Sequence, residues 1–176
     1  MTTIRRFTCD DLFTFNDVNM DVLTETYNMH FYLQYLAMWP EYYLLAEGPG
    51  GHTMGYIMGK YDGRRDGKSW HGHVTAVSVA PEFRRQQLAG KLMDLLEEVT
   101  DKMHHGYFVD LFVRISNSVA IGMYKKFGYS VYRQVIGYYS REEDAYDMRK
   151  AMSRDIHKES IVPLDRPVHP HELEFD

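Results

Sequence analysis

VAPEFRRQQLAGKL, the stretch from Val79 to Leu92, joins the end of a β-branched run to the beginning of a helix. Its turn holds two adjacent arginines, Arg84 and Arg85, and ends in the small residues Ala89 and Gly90. Helix N-termini bind anions, because their first backbone amides lack an intrahelical partner and carry a partial positive charge. The stretch therefore indicates a phosphate-binding turn, with an exposed basic turn as the alternative.

The bulk composition predicts a packed single domain. The chain has 176 residues, of which 44% are hydrophobic and 14% aromatic, and its net charge is -5. That charge gives no support to bulk binding of nucleic acid, whose partners carry a basic face. The single cysteine, Cys9, excludes an internal disulfide and fits a reducing compartment. Since no segment reads as a secretory signal or a membrane span, we expect a soluble cytoplasmic protein.

The spacing of apolar residues predicts one sheet with several helices. Strands are expected at 2–7, 42–47, 53–61, 70–80 and 107–113, with one or two more at 129–139. Helices are expected at about 24–39, 88–104 and 117–127, with a polar helix at 142–154. This order is typical of an α/β domain of mixed α+β character, built on one mainly antiparallel sheet.

Local signals mark the ends of several elements. Thr8, followed by Asp11 three residues later, predicts a helix N-cap, and Gly128 predicts a helix C-terminus. From residue 153 the chain is charged and proline-bearing, with little to bury. We therefore predict a domain at 1–152 and a C-terminal tail at 153–176 that is flexible or bound to a partner.

Two blocks carry a family resemblance. The opening stretch resembles motif A of the GNAT acetyltransferases, Arg/Gln-x-x-Gly-x-Gly/Ala before a helix, with Arg84 and Ala89 at its ends and Gln87 in place of the central glycine. VRISNSVAIGMYKKFGYSV, at 113–131, resembles the next block of that family. The residues in register are Asn117, Ala120, Tyr124, Gly128 and Tyr129.

Further blocks resemble one GNAT subfamily, the catalytic subunits of NatB-type protein N-terminal acetyltransferases. They are LTETY at 23–27, FYLQYLAMWPEYY at 31–43, GYIMGK at 55–60, WHGHVTAVSVAPEFRR at 70–85 and EDAYDMRKAMSRD at 143–155. The resemblance implies the GNAT fold in a single domain, a central mostly antiparallel sheet with helices on both faces.

The resemblance also implies the activity and its partners. The expected reaction transfers acetyl from acetyl-CoA to the α-amine of nascent chains beginning Met-Asp, Met-Glu, Met-Asn or Met-Gln. The expected partner is a large helical-repeat auxiliary subunit, which positions the enzyme at the ribosome. No metal is expected, since the histidines at 71, 73, 104 and 105 lack further ligands at regular spacing and transfer from a thioester needs none.

Several residues are implied to bind the cofactor. The backbone of Val77 and Val79 is expected to bind the pantetheine arm, and Asn117 to bind either that arm or the peptide backbone, while also capping a helix. Tyr124 is the expected general acid for the leaving thiolate. The diphosphate is expected on the turn before the helix, formed by Arg84, Arg85, Gln86, Gln87, Leu88, Ala89 and Gly90.

The peptide site is expected around the longest strand. His73 and Thr75 alternate onto one face and are predicted donors for an acidic or amide second side chain, or else His73 relays the amine proton. Glu25 attracts the ammonium or removes its proton, unless it is merely an acid of the first helical turn. The remaining predicted contacts to the peptide are Tyr27, Tyr138 and Tyr139.

The partner is expected at the helical region 10–39. Five of its aromatic residues are predicted to form the interface, or else to pack on the sheet of this domain: Phe13, Phe15, Phe31, Tyr35 and Trp39. Two rival functions stay open at this point. One is a non-catalytic acetyl-CoA-binding module, and the other is an acetyltransferase acting on lysine or small amines.

Overall fold

A computed structural model of the chain describes residues 2–20, 24–140 and 142–173. Within these ranges three α-helices lie at Met29–Met38 (α1), Leu88–Glu98 (α2) and Ser118–Lys126 (α3). The strands lie at Thr3–Arg6 (β1), Tyr43–Glu47 (β2), Thr53–Asp62 (β3), His71–Val79 (β4), Phe108–Arg114 (β5), Ser130–Tyr139 (β6) and Glu143–Ala151 (β7). Most of the predicted strands are therefore present within two residues of their expected bounds.

The seven strands follow the order β1-β2-β3-β4-β5-β7-β6 in one sheet. Antiparallel pairing joins β1 to β2, β2 to β3, β5 to β7 and β7 to β6. The prediction of a mostly antiparallel sheet with accompanying helices is confirmed by these pairs. The chain divides into two compact units, Met1–Lys60 with Val74–Val99 and Tyr61–His73 with Thr100–Asp176, so that β4 begins in the second unit and ends in the first.

An aromatic core holds the first unit together. Phe7 stacks on Tyr43 with ring centroids 4.1 Å apart, and Phe15 meets Tyr32 edge-on at 5.2 Å. A short 3₁₀ helix, Cys9–Phe13, begins directly after Thr8, the predicted N-cap. The backbone amide of Thr8 donates to a carboxylate oxygen of Asp11 at 2.8 Å.

Two of the predicted interface aromatics belong to that core instead. Phe15 and Tyr35 are 3% and 5% exposed, so the prediction that they face a partner is wrong. Phe31 and Trp39 are half-buried against the same core, whereas Phe13 is 79% exposed. Helix α1 is apolar on most of its surface, and such a pattern does not reveal which face is buried.

The predicted polar helix at 142–154 is also wrong, since most of this segment forms β7. One of its charged residues, Asp147, is buried and paired inside the sheet. The buried carboxylate of Asp147 accepts a hydrogen bond from Arg133 Nε at 2.8 Å and lies 3.2 Å from Arg149 Nη2. Ion pairing within the sheet therefore accounts for a strand whose composition resembles an exposed helix.

The C-terminal segment of the described chain lies along β6. The backbone amide of Leu164 donates to the carbonyl of Tyr132 at 2.8 Å, and Val168 forms a parallel bridge with Val135. Val168 is 3% exposed. The prediction that residues 153–176 form a separate, flexible or partner-bound tail stays a prediction, and the last three of these residues lie outside the described part of the chain.

Candidate active site

The turn before α2 has the geometry of an anion-binding nest. Arg85 and Gln87 both adopt left-handed backbone conformations, with φ of 64° and 62°. The first intrahelical bond runs from the amide of Lys91 to the carbonyl of Gln87 at 3.1 Å. Within the described residues, the backbone amides at 85–90 make no hydrogen bond, and the first turn of α2 contains no acidic residue. Such a concave run of amides attracts an anion.

The two arginines of the turn have different roles in it. The guanidinium of Arg84 donates from Nε to the backbone carbonyl of Val79 at 3.1 Å, which ties the turn to the end of β4. Arg85 is exposed. The turn thus has one arginine hydrogen-bonded to the strand and a second at the surface beside the amides.

The left-handed conformation explains the position where the sequence departs from motif A. A glycine is free of Cβ and adopts positive φ without penalty, so it is the residue that fits there best. Gln87 keeps the backbone geometry at a cost of about 1 kcal/mol from its Cβ. Its backbone is helical in the left-handed sense, and its amide is among those without a partner.

We expect substitutions at Gln87 to follow this backbone requirement. Gln87→Gly should raise the free energy of unfolding by up to about 1 kcal/mol, and Gln87→Val should lower it by a similar amount, because a β-branched residue fits positive φ poorly. Thermal denaturation followed by circular dichroism measures both. Gln86→Gly, at a neighbouring position where φ is not positive, is the control and should destabilise. Equal melting temperatures for the two Gln87 variants would contradict the proposed strain.

Two of the predicted peptide-binding residues of the first unit, Tyr27 and Thr75, form a cluster with Tyr35. The hydroxyl of Tyr27 donates to the backbone carbonyl of Thr75 at 3.4 Å, and the hydroxyl of Tyr35 lies 2.7 Å from Thr75 Oγ1. Sequence reasoning missed this role of Tyr35 because it expected the side chain to face outward. Burial alternates along much of β4, with Thr75 and His73 both half-buried, as the strand periodicity predicts.

Glu25 lies before α1 and not within its first turn. The helix begins at its N-cap Asn28, whose side chain accepts a hydrogen bond from the amide of Phe31 at 2.9 Å. The interpretation of Glu25 as a first-turn acid is therefore wrong, and so is the predicted helix start near 24. The side chain of Glu25 is half-buried. Leu23, the first residue of the LTETY block, lies outside the described residues.

In the second unit, His73 is held by a buried carboxylate that sequence reasoning missed. Nδ1 of His73 lies 2.7 Å from Asp110 Oδ1, and Asp110 is 4% exposed. Burial alone would raise the pKa of this carboxyl, but the neighbouring histidines outweigh that effect and lower the pKa. The signal in the sequence was a single acidic residue within the apolar run FVDLFV of β5.

Aromatic side chains lie next to this histidine. Its ring centroid is 5.6 Å from that of Phe112, which stacks on Tyr138 at 4.6 Å. Tyr139 meets Tyr138 edge-on at 5.1 Å and donates from its hydroxyl to the carbonyl of Phe112 at 3.2 Å. The structure thus brings His73, Tyr138 and Tyr139 together around Phe112, a residue that the sequence reasoning did not single out.

Helix α3 and its N-cap supply two further predicted residues. Asn117 caps the helix, since its side-chain oxygen accepts from the amide of Ala120 at 3.1 Å. Tyr124 is 9% exposed, and burial raises the pKa of its hydroxyl to about 12. Within the described chain no residue hydrogen-bonds to this hydroxyl. Tyr124 therefore holds its proton throughout the neutral pH range.

Two further observations concern the described residues as a whole. Their histidine, cysteine and acidic side chains nowhere form a group of three or more suited to a metal ion. Among the same residues, no helix combines the length and the apolar character needed to cross a membrane.

Comparison with known proteins assigns this fold and these residues to a family. Residues 10–129 match the model of the Acetyltransferase (GNAT) family. The chain is 64% identical, over the full length of both proteins, to the N-terminal acetyltransferase B complex catalytic subunit NAA20 of Arabidopsis thaliana.

Two solved structures are similar to the chain. Naa20 of Chaetomium thermophilum, in complex with a bisubstrate analogue, superimposes with a TM-score of 0.90 at 44% identity and covers 96% of this chain and 97% of its own. A subunit of the NatB acetyltransferase complex bound to a bisubstrate inhibitor gives 0.87 at 40% identity, with 98% and 99% covered.

The chain belongs to the GNAT acetyltransferases and, within them, to the catalytic subunits of the N-terminal acetyltransferase B type. It is thus an acyltransferase with the GNAT fold, as the motifs predict. The interpretation as a lysine or small-amine acetyltransferase is not supported by these relatives.

Proposed function

We propose that this chain transfers the acetyl group of acetyl-CoA to the α-amine of nascent polypeptides that begin Met-Asp, Met-Glu, Met-Asn or Met-Gln. The observation that carries the proposal is the run of amides without partners at 85–90, in a chain similar over its full length to a NatB catalytic subunit. An acyl-CoA carries a diphosphate, the kind of anion that a helix N-terminus binds.

Cofactor binding is proposed for the turn and for two neighbouring segments. The diphosphate binds the amides from Arg85 to Gly90, with Arg85 supplying a mobile positive charge. Val77 and Val79 bind the pantetheine arm along β4. Asn117 binds the arm or the peptide backbone through the part of its amide that does not cap α3.

The chemical step is direct attack of the amine on the thioester. The carbon–nitrogen bond forms, the carbon–sulfur bond breaks, and the thiolate takes a proton from Tyr124. The amine loses a proton to Glu25, His73 or water. This requires only a weak base, since a free α-amine has a pKa of roughly 8 against roughly 10.4 for lysine.

Recognition of the second peptide residue is proposed for the polar side chains of β4. If Tyr35 donates to Thr75 Oγ1, the hydroxyl proton of Thr75 stays available for a carboxylate or amide of the substrate. His73 offers a second donor in the same strand. Tyr27, Tyr138 and Tyr139 supply aromatic contacts to the peptide.

Peptide specificity tests this function. With acetyl-CoA and the purified enzyme, a Met-Asp peptide should be acetylated about 10- to 100-fold more efficiently than a Met-Ala peptide, the size of one lost hydrogen bond to a charged group. A Ser-Glu peptide and a blocked peptide with one internal lysine are the controls and should react poorly. Preferred acetylation of the lysine peptide would contradict the proposal, and binding of CoA without any turnover would favour a non-catalytic module.

We also propose a partner for the apolar surface of the helical region. Among the described residues of the region 10–39, the exposed large apolar side chains are Phe13, Met20, Met29, Leu33 and Met38. Large apolar side chains exposed in one region are candidates for an interaction site. The occupant proposed is the helical-repeat auxiliary subunit of a NatB-like complex, which would bring the enzyme to the ribosome in the cytoplasm, where nascent N-termini emerge.

A charge in place of the exposed Phe13 should weaken the complex. We expect Phe13→Asp to reduce capture of the auxiliary subunit more than about 10-fold on co-expression, because a large aromatic anchor is lost from the interface. Val119→Asp, at a site 83% exposed in the second unit, is the matched control. Equal capture by both variants would contradict the proposed surface.

A further inference from the structure

We infer that Asp110 is a positioning residue that fixes His73 in the tautomer protonated at Nδ1, so that Nε2 is the ring atom presented to substrate. The inference rests on the proposed function, because it assigns a role to His73 in the same peptide site. It starts from the two contacts that Asp110 makes with neighbouring residues of β4.

The first contact determines where the proton of His73 lies. Nδ1 is 2.7 Å from Asp110 Oδ1, a hydrogen-bonding distance at which a carboxylate accepts and the ring nitrogen donates. Burial raises the pKa of Asp110, but the charges of the histidines, the hydrogen bond from His73 and the charge of Arg149 together lower it below its usual range, so that the carboxyl is ionised. His73 Nδ1 therefore carries a proton whether the ring is neutral or charged.

The second contact of the Asp110 carboxylate is with the imidazole ring of His71. His71 Nδ1 lies 2.5 Å from the backbone carbonyl of Ser69, which only accepts, so this nitrogen carries a proton too. The other ring nitrogen, Nε2, faces Asp110 Oδ2 at 3.6 Å. The ring of His71 is fixed by stacking on Phe108, with centroids 4.5 Å apart. Both carboxylate oxygens thus face imidazole rings, and Asp110 has little freedom to turn away from His73.

Neighbouring charges allow an ionised carboxylate at this buried position. Arg149 lies near Asp110, and its guanidinium is 3.6 Å from the centroid of the Tyr132 ring. Asp147 pairs with Arg149 and with Arg133. Burial and the charge of Asp110 raise the pKa of Asp147, whereas the pKa of Asp110 is lowered, so Asp110 is the carboxyl of the two that keeps its charge more readily.

The consequence concerns Nε2 of His73, which has no hydrogen-bond partner among the described residues. In a neutral ring it accepts a proton, as needed to relay one from the substrate amine. In a charged ring it donates to an acidic second side chain of the peptide. Both roles that the sequence leaves open need Nδ1 to be protonated, and the contact with Asp110 meets that need in either case.

Asp110→Asn tests the inference, because the two side chains are nearly isosteric and an amide can donate to Nδ1 as well as accept from it. Nitrogen-15 NMR of the histidine rings, recorded without substrate, should show the Nδ1–H form of His73 in the wild type and a mixture of tautomers in the variant. With a Met-Asp peptide, kcat/KM should fall about 10- to 100-fold, the size of one charged hydrogen bond. In a His73→Ala background, Asp110→Asn should cause no further loss.

Asp155→Asn, at another buried carboxylate of the same unit that caps backbone amides, is the control for a general loss of stability and should leave the His73 tautomer unchanged. A His73 ring protonated at Nε2 in the wild type, or an unchanged tautomer in Asp110→Asn, would overturn the inference. Failure of the wild-type enzyme to acetylate any peptide would refute the proposed function, while the NMR result would still decide the role of Asp110. If Asp110→Asn does not fold, the wild-type spectrum alone decides it.

Discussion

Replacement of Tyr124 by phenylalanine is expected to lower kcat by about 100- to 10,000-fold, the contribution of a positioned general acid. The leaving group is a thiolate, and the buried hydroxyl of Tyr124 holds its proton up to a pKa of about 12. KM for the peptide should change little, since the substitution removes one oxygen from a residue that is not proposed to bind the peptide. Steady-state kinetics with acetyl-CoA and a Met-Asp peptide measures both constants.

Tyr129→Phe is the matched control for this experiment. Tyr129 is 2% exposed, and its ring centroid lies 6.2 Å from that of Tyr124, so both variants lose one hydroxyl from the same neighbourhood. Tyr129→Phe should keep most of the wild-type kcat. If Tyr124→Phe also keeps it, Tyr124 has no part in the mechanism and the thiolate takes its proton from elsewhere.

The second large effect is expected in the fold, at the glycine between the two histidines of β4. A Cβ on Gly72 would lie 2.1 Å from Thr100 Oγ1 and 3.0 Å from Thr100 Cγ2. The threonine side chain is β-branched and buried, so it cannot swing aside freely. Gly72→Ala should therefore lower the free energy of unfolding by about 1–3 kcal/mol, as overpacking of a core does.

Thermal denaturation checks this prediction. In a protein of this size each kcal/mol shifts Tm by about 2–4 °C, so Gly72→Ala should melt clearly below the wild type. Gly122→Ala is the control, because a Cβ there meets nothing within 4 Å and alanine favours a helix over glycine by up to about 1 kcal/mol. A wild-type Tm for Gly72→Ala would contradict the close packing of Thr100 against this glycine.

Local signals in the sequence were sufficient for much of the fold. Asn117 follows a strand, and Gly128 comes eleven residues later. These two residues delimit a helix that lies at Ser118–Lys126. Thr8 with Asp11 forms the predicted cap. These signals work because the residues involved contact their own neighbours in the chain, so the chemistry that determines the structure is visible in a short window.

Other features depend on partners distant in sequence, and the sequence did not reveal them. The charges at 142–154 predict a polar helix, whereas in the structure Asp147 of β7 pairs with Arg133 of the neighbouring strand β6. The burial of Tyr35 depends on which face of α1 packs on the core, which an apolar helix leaves open, and the burial of Phe15 depends on rings distant in sequence, such as that of Tyr56. Asp110 contacts a histidine 37 residues away, and one acidic residue in a strand does not name its partner.

The sequence shows the departure at Gln87, but the backbone conformation at this position is known only from the structure. In the motif alone, Gln87 is a departure, because it stands where the family has its central glycine. The backbone nevertheless adopts the left-handed conformation that glycine would give, so the amides of the turn keep their arrangement. The free-energy cost of glutamine in place of glycine arises from the positive φ at position 87 in the turn, before α2 begins.

A crystal structure of the chain with bound CoA tests most directly whether the turn before α2 is the cofactor site. The diphosphate oxygens should lie within about 3 Å of backbone amides between Arg85 and Gly90, at hydrogen-bonding distance, beside the guanidinium of Arg85. A CoA molecule whose diphosphate binds elsewhere, with the turn before α2 closed by the side chain of Gln87, would contradict the assignment of this turn as the cofactor site.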